Sequence, residues 1–267
     1  MSVLEFSRHE GVATLVMSRP GVKNAYNSEM GTALLQALDE IRRDPHLRAV
    51  VLTGAGEDFC AGGDVGGMSR MDCSAAELRT RMEATHRVVA ELVALPCPVI
   101  AAVDGVAAGA GFSLALAADF TLASERARFS MAFARIGAVP DMGATYILPR
   151  LVGLQKAREL IYSAREVTAA QALEMGILLE VVATAGLHAR ASELARSMSE
   201  QSPSAFAMTK RLLAQSLNND WHSQLSDEAW AQAIAMSGDY FKDATARFMR
   251  KEPLRYRWPR PARSEPS

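Results

Sequence analysis

Three short stretches of the chain carry residue types whose spacing can do chemistry. Two are turns rich in Gly and Ala. "FCAGGDVGG", residues 59–67, follows the apolar run "AVVLTG", and "GVAAGAGFS", residues 105–113, follows "VIAAV". The third, "VPDMG", places one carboxylate, Asp141, directly after a proline. Small residues let a backbone approach a ligand closely. A chain turning from strand into helix also presents N–H groups that no carbonyl of its own turn accepts, and the helix dipole adds positive potential there. Two such turns facing one point can hold an oxyanion. Either turn alone needs no more explanation than a tight connection and close packing; the pair points to chemistry.

Neither turn fits a known phosphate motif. Gly54 and Gly56 are followed by Phe59 where a dinucleotide fingerprint requires a third Gly, and Gly109 and Gly111 are followed by Leu114. No Gly-Lys-Ser/Thr occurs, so a P-loop is excluded. Asp141 suits two roles, a cap for the helix expected over "MGATYILPRL" or a carrier of protons. Asp64 either caps the next turn or meets a ligand. His86 lies among apolar residues of an expected helix and reads as a packed histidine, and Ser113 has no Ser/His/Asp context. Met131 and Met142 read as core filling.

The elements that must position these residues alternate. "GVATLVMS" (11–18), "RAVVLTG" (48–54), "PVIAAVDG" (98–105) and "DFTLAS" (119–124) are predicted strands, rich in aliphatic residues and closed by turn residues. Residues 28–43 and 75–94 have apolar residues at helical spacing, with Asn27 or Ser28 as cap of the first, and read as crossover helices. Beyond residue 142 strand signals thin out. "GLHARASELARSMSEQ", "PSAFAMTKRLLAQSL" and "SDEAWAQAIAMSG" predict helices, punctuated by Pro203 and the "NND" at 218–220. The ending "RYRWPRPARSEPS" reads as a frayed tail.

Composition narrows the classes. A chain of 267 residues, 49% of them apolar, buries one large core with room for an appended helical region. Basic and acidic residues number 29 and 30, a formal charge of −1, which leaves no electrostatic case for nucleic acid or an anionic membrane as partner. No secretory leader or spanning run is legible, so a cytoplasmic protein is expected. Cys60, Cys73 and Cys97 lack C-x-x-C spacing, and free buried thiols are expected in place of a disulfide or metal site.

Through "SRPGVKNAYN", "VVLTGAGEDFCAGGDV", "PVIAAVDGVAAGAGFSLALAADFTLASERARFSM", "IGAVPDMGATYILPRLVG" and "AREVTAAQALEMGILLEVV", the chain resembles the crotonase, or enoyl-CoA hydratase/isomerase, superfamily. The resemblance implies an α/β fold, a spiral of ββα units over residues 1–200, and a C-terminal helical oligomerisation region over 201–267 that builds a homotrimer or a hexamer of two trimers. It implies an acyl-CoA thioester substrate, with coenzyme A part of that substrate and no separate cofactor. Two backbone N–H groups, matching Ala61 and Ala110, would hold the thioester oxygen. One well-aimed donor to the enolate that forms there contributes roughly 3–4 kcal/mol.

The same resemblance assigns the acid/base group. Hydratases of the family hold water with two glutamates, whose positions match Ser113 and Phe133. Neither can activate water. Asp141 matches the acidic residue of another isomerase group, which includes the ring-epoxide isomerases of phenylacetate breakdown. An isomerase is therefore expected, because one carboxylate can take a proton from one carbon and return it to another. Coenzyme A contacts are implied at Lys23, Asn24, Ala25 and Tyr26, at Ala61, Gly62, Gly63 and Asp64, and at Phe248 and Lys251, the last two reaching a neighbouring subunit's nucleotide. Three alternatives stay open: a hydratase of weak activity, a hydrolase of the aryl-thioester dehalogenase type with Asp141 as nucleophile, and a homologue that binds acyl-CoA without catalysis.

Overall fold

The computed structural model describes residues 2–68 and 73–260. Its strands are β1 (Leu4–His9), β2 (Val12–Met17), β3 (Ala49–Gly54), β4 (Val99–Val103), β5 (Val106–Ala108), β6 (Phe120–Ser124), β7 (Arg128–Ser130), β8 (Val167–Thr168) and β9 (Glu180–Val182). The main sheet has six strands in the order β1-β2-β3-β4-β6-β9. β1 and β2 form an antiparallel hairpin, and every later pairing in this sheet is parallel. β5, β7 and β8 form a second, small sheet.

Parallel strands are covered on both faces, which explains the unbroken apolar runs of β3 and β4. Side chains alternate between two cores. Val50 and Leu52 of β3 join Val99, Ala101 and Val103 of β4 in the larger cluster. Ala49, Val51, Ile100 and Ala102 face the other way, against Leu187, Ala191, Leu194 and Met198. The larger core is closed by α1 (Ser28–Arg43), which buries Met30, Leu34, Leu38 and Ile41 at helical spacing, and whose Asn27 cap accepts from Met30 N–H at 2.9 Å.

The remaining helices are α2 (Val65–Met68), α3 (Ala75–Val93), α4 (Ala110–Leu116), α5 (Ala144–Val152), α6 (Leu154–Ser163), α7 (Ala169–Glu174), α8 (Leu187–Ser199), α9 (Pro203–Gln215), α10 (Trp221–Ser237) and α11 (Asp239–Met249). A capping box at Ser74 and Glu77 opens α3. α8 supplies the second core and is pinned by buried Arg190, which pairs with Glu180 of β9 at 3.0 Å and Glu193 at 2.7 Å. α9, α10 and α11 bury no residue. α9 is held by Lys210, whose Nζ lies 2.7 Å from Asp119 Oδ2 and also donates to the Cys97 carbonyl at 3.3 Å.

The four strands expected from sequence are present as β2, β3, β4 and β6, and the two crossover helices as α1 and α3. The β5-β7-β8 sheet was not legible, because segments of three, three and two residues are too short to show a period. The tail also differs from expectation up to residue 260. Trp258 packs edge-on against Phe120 at 5.5 Å, and Arg190 Nη2 donates to the Pro259 carbonyl at 3.1 Å. The rest of that predicted frayed end, 261–267, lies outside the described residues. Among the described residues, no helix is long and apolar enough to cross a membrane.

Candidate active site

Both Gly and Ala turns leave the same end of the parallel sheet and are sewn together by main-chain bonds. Cys60 N–H donates to the Val106 carbonyl at 2.9 Å, and Ala108 N–H donates to the Cys60 carbonyl at 3.0 Å. Two glycines permit this approach. A Cβ on Gly62, whose φ is +108°, would lie 3.0 Å from the Ala108 carbonyl oxygen and 3.9 Å from Ala110 N. A Cβ on Gly111 would overlap the Cys60 carbonyl. The pair of turns is thus one structure, with the start of α4 against residues 60–62.

The N–H groups at this junction are not equivalent. Ala61 N–H donates to the Lys23 carbonyl at 2.9 Å. Among the described residues, Gly63 N–H and Ala110 N–H find no acceptor. Expectation must therefore be corrected at Ala61: its donor is consumed by the 23–26 turn, and the unspent one lies two residues on, at Gly63. Tyr26 grips Gly63 from both sides, donating from its N–H to the Gly62 carbonyl at 2.7 Å and accepting at its carbonyl from Asp64 N–H at 2.8 Å.

Next to this junction stand the two positions where a hydratase would carry bases. Ser113 is fully buried, and its hydroxyl donates to the Gly109 carbonyl at 3.2 Å within α4. Phe133 is a buried ring whose Cζ would lie 3.8 Å from a Cβ on Gly109, so it walls the same turn with hydrocarbon. The nearby Cys60 thiol is pushed up to about 11 by burial and stays neutral. Cys60 and Cys97 are free and buried, while Cys73 is half-buried.

Asp141 precedes two left-handed residues, Met142 (φ 52°) and Gly143 (φ 82°), which turn the chain into α5. Its carbonyl accepts from Ala144 N–H at 3.1 Å, but no side chain caps α5. The carboxylate is thus not spent as a cap. Its Oδ1 is buried with no hydrogen-bond partner. Burial pushes its pKa above the usual aspartate range, and His86 of α3 opposes that rise. Burial pushes the Tyr26 phenol up to about 12, and the Asp141 charge adds a smaller push in the same direction.

The positions expected to meet coenzyme A separate into exposed and committed ones. Lys23 presents its ammonium to solvent, 3.5 Å from Asp58. Asn24 is fully buried, with Oδ1 accepting from Arg19 N–H at 2.8 Å and Nδ2 donating to the Ala55 and Asp58 carbonyls at 2.9 and 2.7 Å. Its amide is saturated, so its side chain is structural. Ala25 and Tyr26 are buried as well. Asp64 pairs with Arg19 at 2.9 Å and accepts from Gly67 N–H at 3.1 Å, which makes it a brace of the turn. Phe248 is exposed at the end of α11, with Lys251 just beyond in a left-handed conformation (φ 57°). No group of three His, Cys, Asp or Glu that could hold a metal occurs among the described residues.

A mixed α/β fold, two Gly and Ala turns sewn together with two unspent N–H groups, and a carboxylate with a buried Oδ1 fit the class of acyl-thioester enzymes. The comparisons agree with that class: the model of the enoyl-CoA hydratase/isomerase family matches residues 7–258, and the chain belongs to this family. It is 36% identical over 247 residues to the 1,2-epoxyphenylacetyl-CoA isomerase of Escherichia coli, covering 91% of this chain and 94% of that one. It is 34% identical over 244 residues to the short-chain-enoyl-CoA hydratase of Clostridium acetobutylicum, covering 91% and 93%. Among solved structures, an enoyl-CoA hydratase/isomerase from Cupriavidus metallidurans superposes with a TM-score of 0.94 at 40% identity, over 98% of this chain and 99% of that one. Relatives named as hydratases and as isomerases both match, so the choice between reactions rests on the site.

Proposed function

We propose that the protein is an acyl-CoA isomerase that moves a double bond, or rearranges a ring epoxide, of a coenzyme A thioester through an enolate. The observation that carries this reading is the buried, unpartnered Oδ1 of Asp141, in a site whose other two candidate positions are Ser113 and Phe133. Gly63 and Ala110 N–H hold the thioester oxygen as it gains charge, and Asp141 takes the proton from one carbon and returns it to another. The rise of the Asp141 pKa brings it nearer to working pH, where a carboxyl both accepts and releases protons effectively. No separate cofactor enters this scheme. Lys23 lies where a phosphate of coenzyme A can reach it, and the exposed Phe248 and Lys251 suit the nucleotide of a neighbouring subunit, in a cytoplasmic trimer or pair of trimers.

Hydration would require a water fixed and deprotonated on one face of the substrate, and the hydrocarbon of Phe133 with the committed hydroxyl of Ser113 leaves that place without a base. The test is to run a 3-enoyl-CoA and crotonyl-CoA in heavy-oxygen water. Movement of the double bond without label supports the isomerase. Rapid uptake of label from crotonyl-CoA, at ordinary rates of ~1–1000 per second, would restore the hydratase. A second reading is a hydrolase of the aryl-thioester dehalogenase type, in which the Asp141 carboxylate displaces halide from the ring of an aryl thioester and water then cleaves the aryl ester; the influence of His86 on the Asp141 carboxyl is the observation beside it. Label appearing on the acyl portion of an aryl thioester would identify it.

A further inference from the structure

We propose that Arg19 is a positioning residue of the oxyanion site, whose guanidinium orients and polarises the Gly63 N–H through two intervening peptide groups. The inference rests on the reading of Gly63 N–H as an oxyanion donor. Arg19 Nη1 donates to the Ala25 carbonyl at 2.5 Å. The N–H of that same peptide group, on Tyr26, donates to the Gly62 carbonyl at 2.7 Å. The N–H of the next peptide group, on Gly63, is the one that finds no acceptor among the described residues. In a trans peptide the N–H points away from its C=O, and no cis bond occurs among the described residues. Pinning the Gly62 carbonyl on Tyr26 therefore aims the Gly63 N–H away from the 23–26 turn.

A peptide group that accepts at its carbonyl donates more strongly from its N–H, by roughly 10–30% per bond, and a bond from a cation is roughly twice as strong as a neutral one. Arg19 thus puts a charge-assisted bond at the head of a chain whose other end is the free donor. The guanidinium is held in place for this. Its Nη2 lies 2.9 Å from Asp64 Oδ2, with the two side chains only 20% and 27% exposed. Asp64 N–H donates to the Tyr26 carbonyl at 2.8 Å, which closes the loop of bonds around Gly63. The Arg19 main chain is fixed as well, its N–H on Asn24 Oδ1 at 2.8 Å and its carbonyl accepting from Asn24 N–H at 2.9 Å. Ala110 has a different backing: the carbonyl of its own peptide group, on Gly109, accepts from the Ser113 N–H at 3.0 Å and hydroxyl at 3.2 Å, both neutral. The two donors are therefore unequal, and Gly63 is the one with a cation behind it.

The test compares Arg19→Met and Arg19→Lys with the native enzyme by turnover and by the apparent pKa of bound acetoacetyl-CoA, whose enolate absorbs in the near ultraviolet. Removing a direct oxyanion donor costs about 10²–10³ in rate. Loss of the cation two peptide groups away is expected to cost less, lowering kcat about tenfold in Arg19→Met with KM within about twofold. The bound acetoacetyl-CoA should ionise about one pH unit higher, the same tenfold read as an equilibrium. Arg19→Lys, which keeps a cation able to reach the Ala25 carbonyl, should recover both readouts to within about threefold. If Arg19→Met does not fold, Arg19→Gln, also uncharged, takes its place under the same limits. Native kcat and native enolate pKa in the uncharged variant, or a lysine variant no better than the uncharged one, would overturn the inference. No ionisation of acetoacetyl-CoA on the native enzyme defeats the oxyanion reading of Gly63 and the inference with it. A native enzyme that ionises acetoacetyl-CoA, with the expected shift in Arg19→Met, but moves no double bond defeats the isomerase reading and leaves the role of Arg19 standing.

Discussion

At Asp141, burial raises the cost of ionisation, while the proposed isomerisation would need the ionised form to begin a turnover. Two consequences follow from one substitution. Asp141→Asn, nearly isosteric but unable to carry a proton, is expected to lower isomerase turnover at least about a hundredfold while acyl-CoA binding survives. The same variant should melt higher at neutral pH. The folded-state pKa is raised, so the stability linked to this carboxyl is fully present below its unfolded value and is lost as pH rises through the folded one. The gain from Asn must therefore shrink in acid, which melting temperatures across pH would show. Activity follows the opposite sense: its acid limb should fall at a pH above the ordinary aspartate range, because the base form appears only there. Equal melting of both proteins at every pH would contradict the burial argument.

Among the elements, α4 shows how a helix start is held in register with a neighbouring loop. Gly111 is in its first turn, where Ala is intrinsically the better helix former. Its Cβ would nonetheless overlap the Cys60 carbonyl, so Gly111→Ala is expected to destabilise by about 1–3 kcal/mol, with the loss of activity exceeding the loss of fold because Ala110 N–H moves with the clash. Urea unfolding beside turnover decides it; unchanged stability would mean that the loop yields. A second element-level prediction concerns α9. Burial raises the Asp119 pKa, and Lys210 opposes that rise from 2.7 Å. Lys210→Met leaves a buried carboxylate without its cation and should cost about 3–5 kcal/mol in urea unfolding. A neutral result would show that Val99 N–H, 2.8 Å from Asp119 Oδ2, suffices.

For the whole molecule the unanswered surface is C-terminal. Leu213, Trp221, Trp230 and Phe248, on helices without a fully buried residue, and Leu217 between α9 and α10 are each about 70% exposed, at 69, 71, 72, 71 and 68%. Large aromatic and aliphatic side chains left exposed in this way are what the proposed assembly would cover. Sedimentation is expected to give a trimer or a multiple of it, and a well-behaved monomer at micromolar concentration would contradict this. If Phe248 and Lys251 serve a neighbouring subunit, as proposed, activity should fall on dilution below the assembly range.

The sequence by itself determined the α/β class, the four long strands β2, β3, β4 and β6, the crossover helices, and the two Gly and Ala turns, because aliphatic runs, helical spacing and turn residues are local signals. Through the family resemblance it also singled out Asp141, and matched Ser113 and Phe133 to the positions of the hydratase glutamates. Only the tertiary structure decided which N–H of "AGGD" remains unspent. The partner that consumes Ala61 N–H is the Lys23 carbonyl, distant in sequence, and no local pattern reports such a bond. For the same reason no local pattern reports that the Asn24 amide is closed by the backbone of residues 19, 55 and 58. The terminal residues up to 260 were legible only as polar and proline-rich, while their docking on α8 and β6 depends on a carbonyl and one indole finding partners across the chain. Hydrogen-bond allocation and burial are properties of the folded arrangement, and they turn residues of the right type into a site.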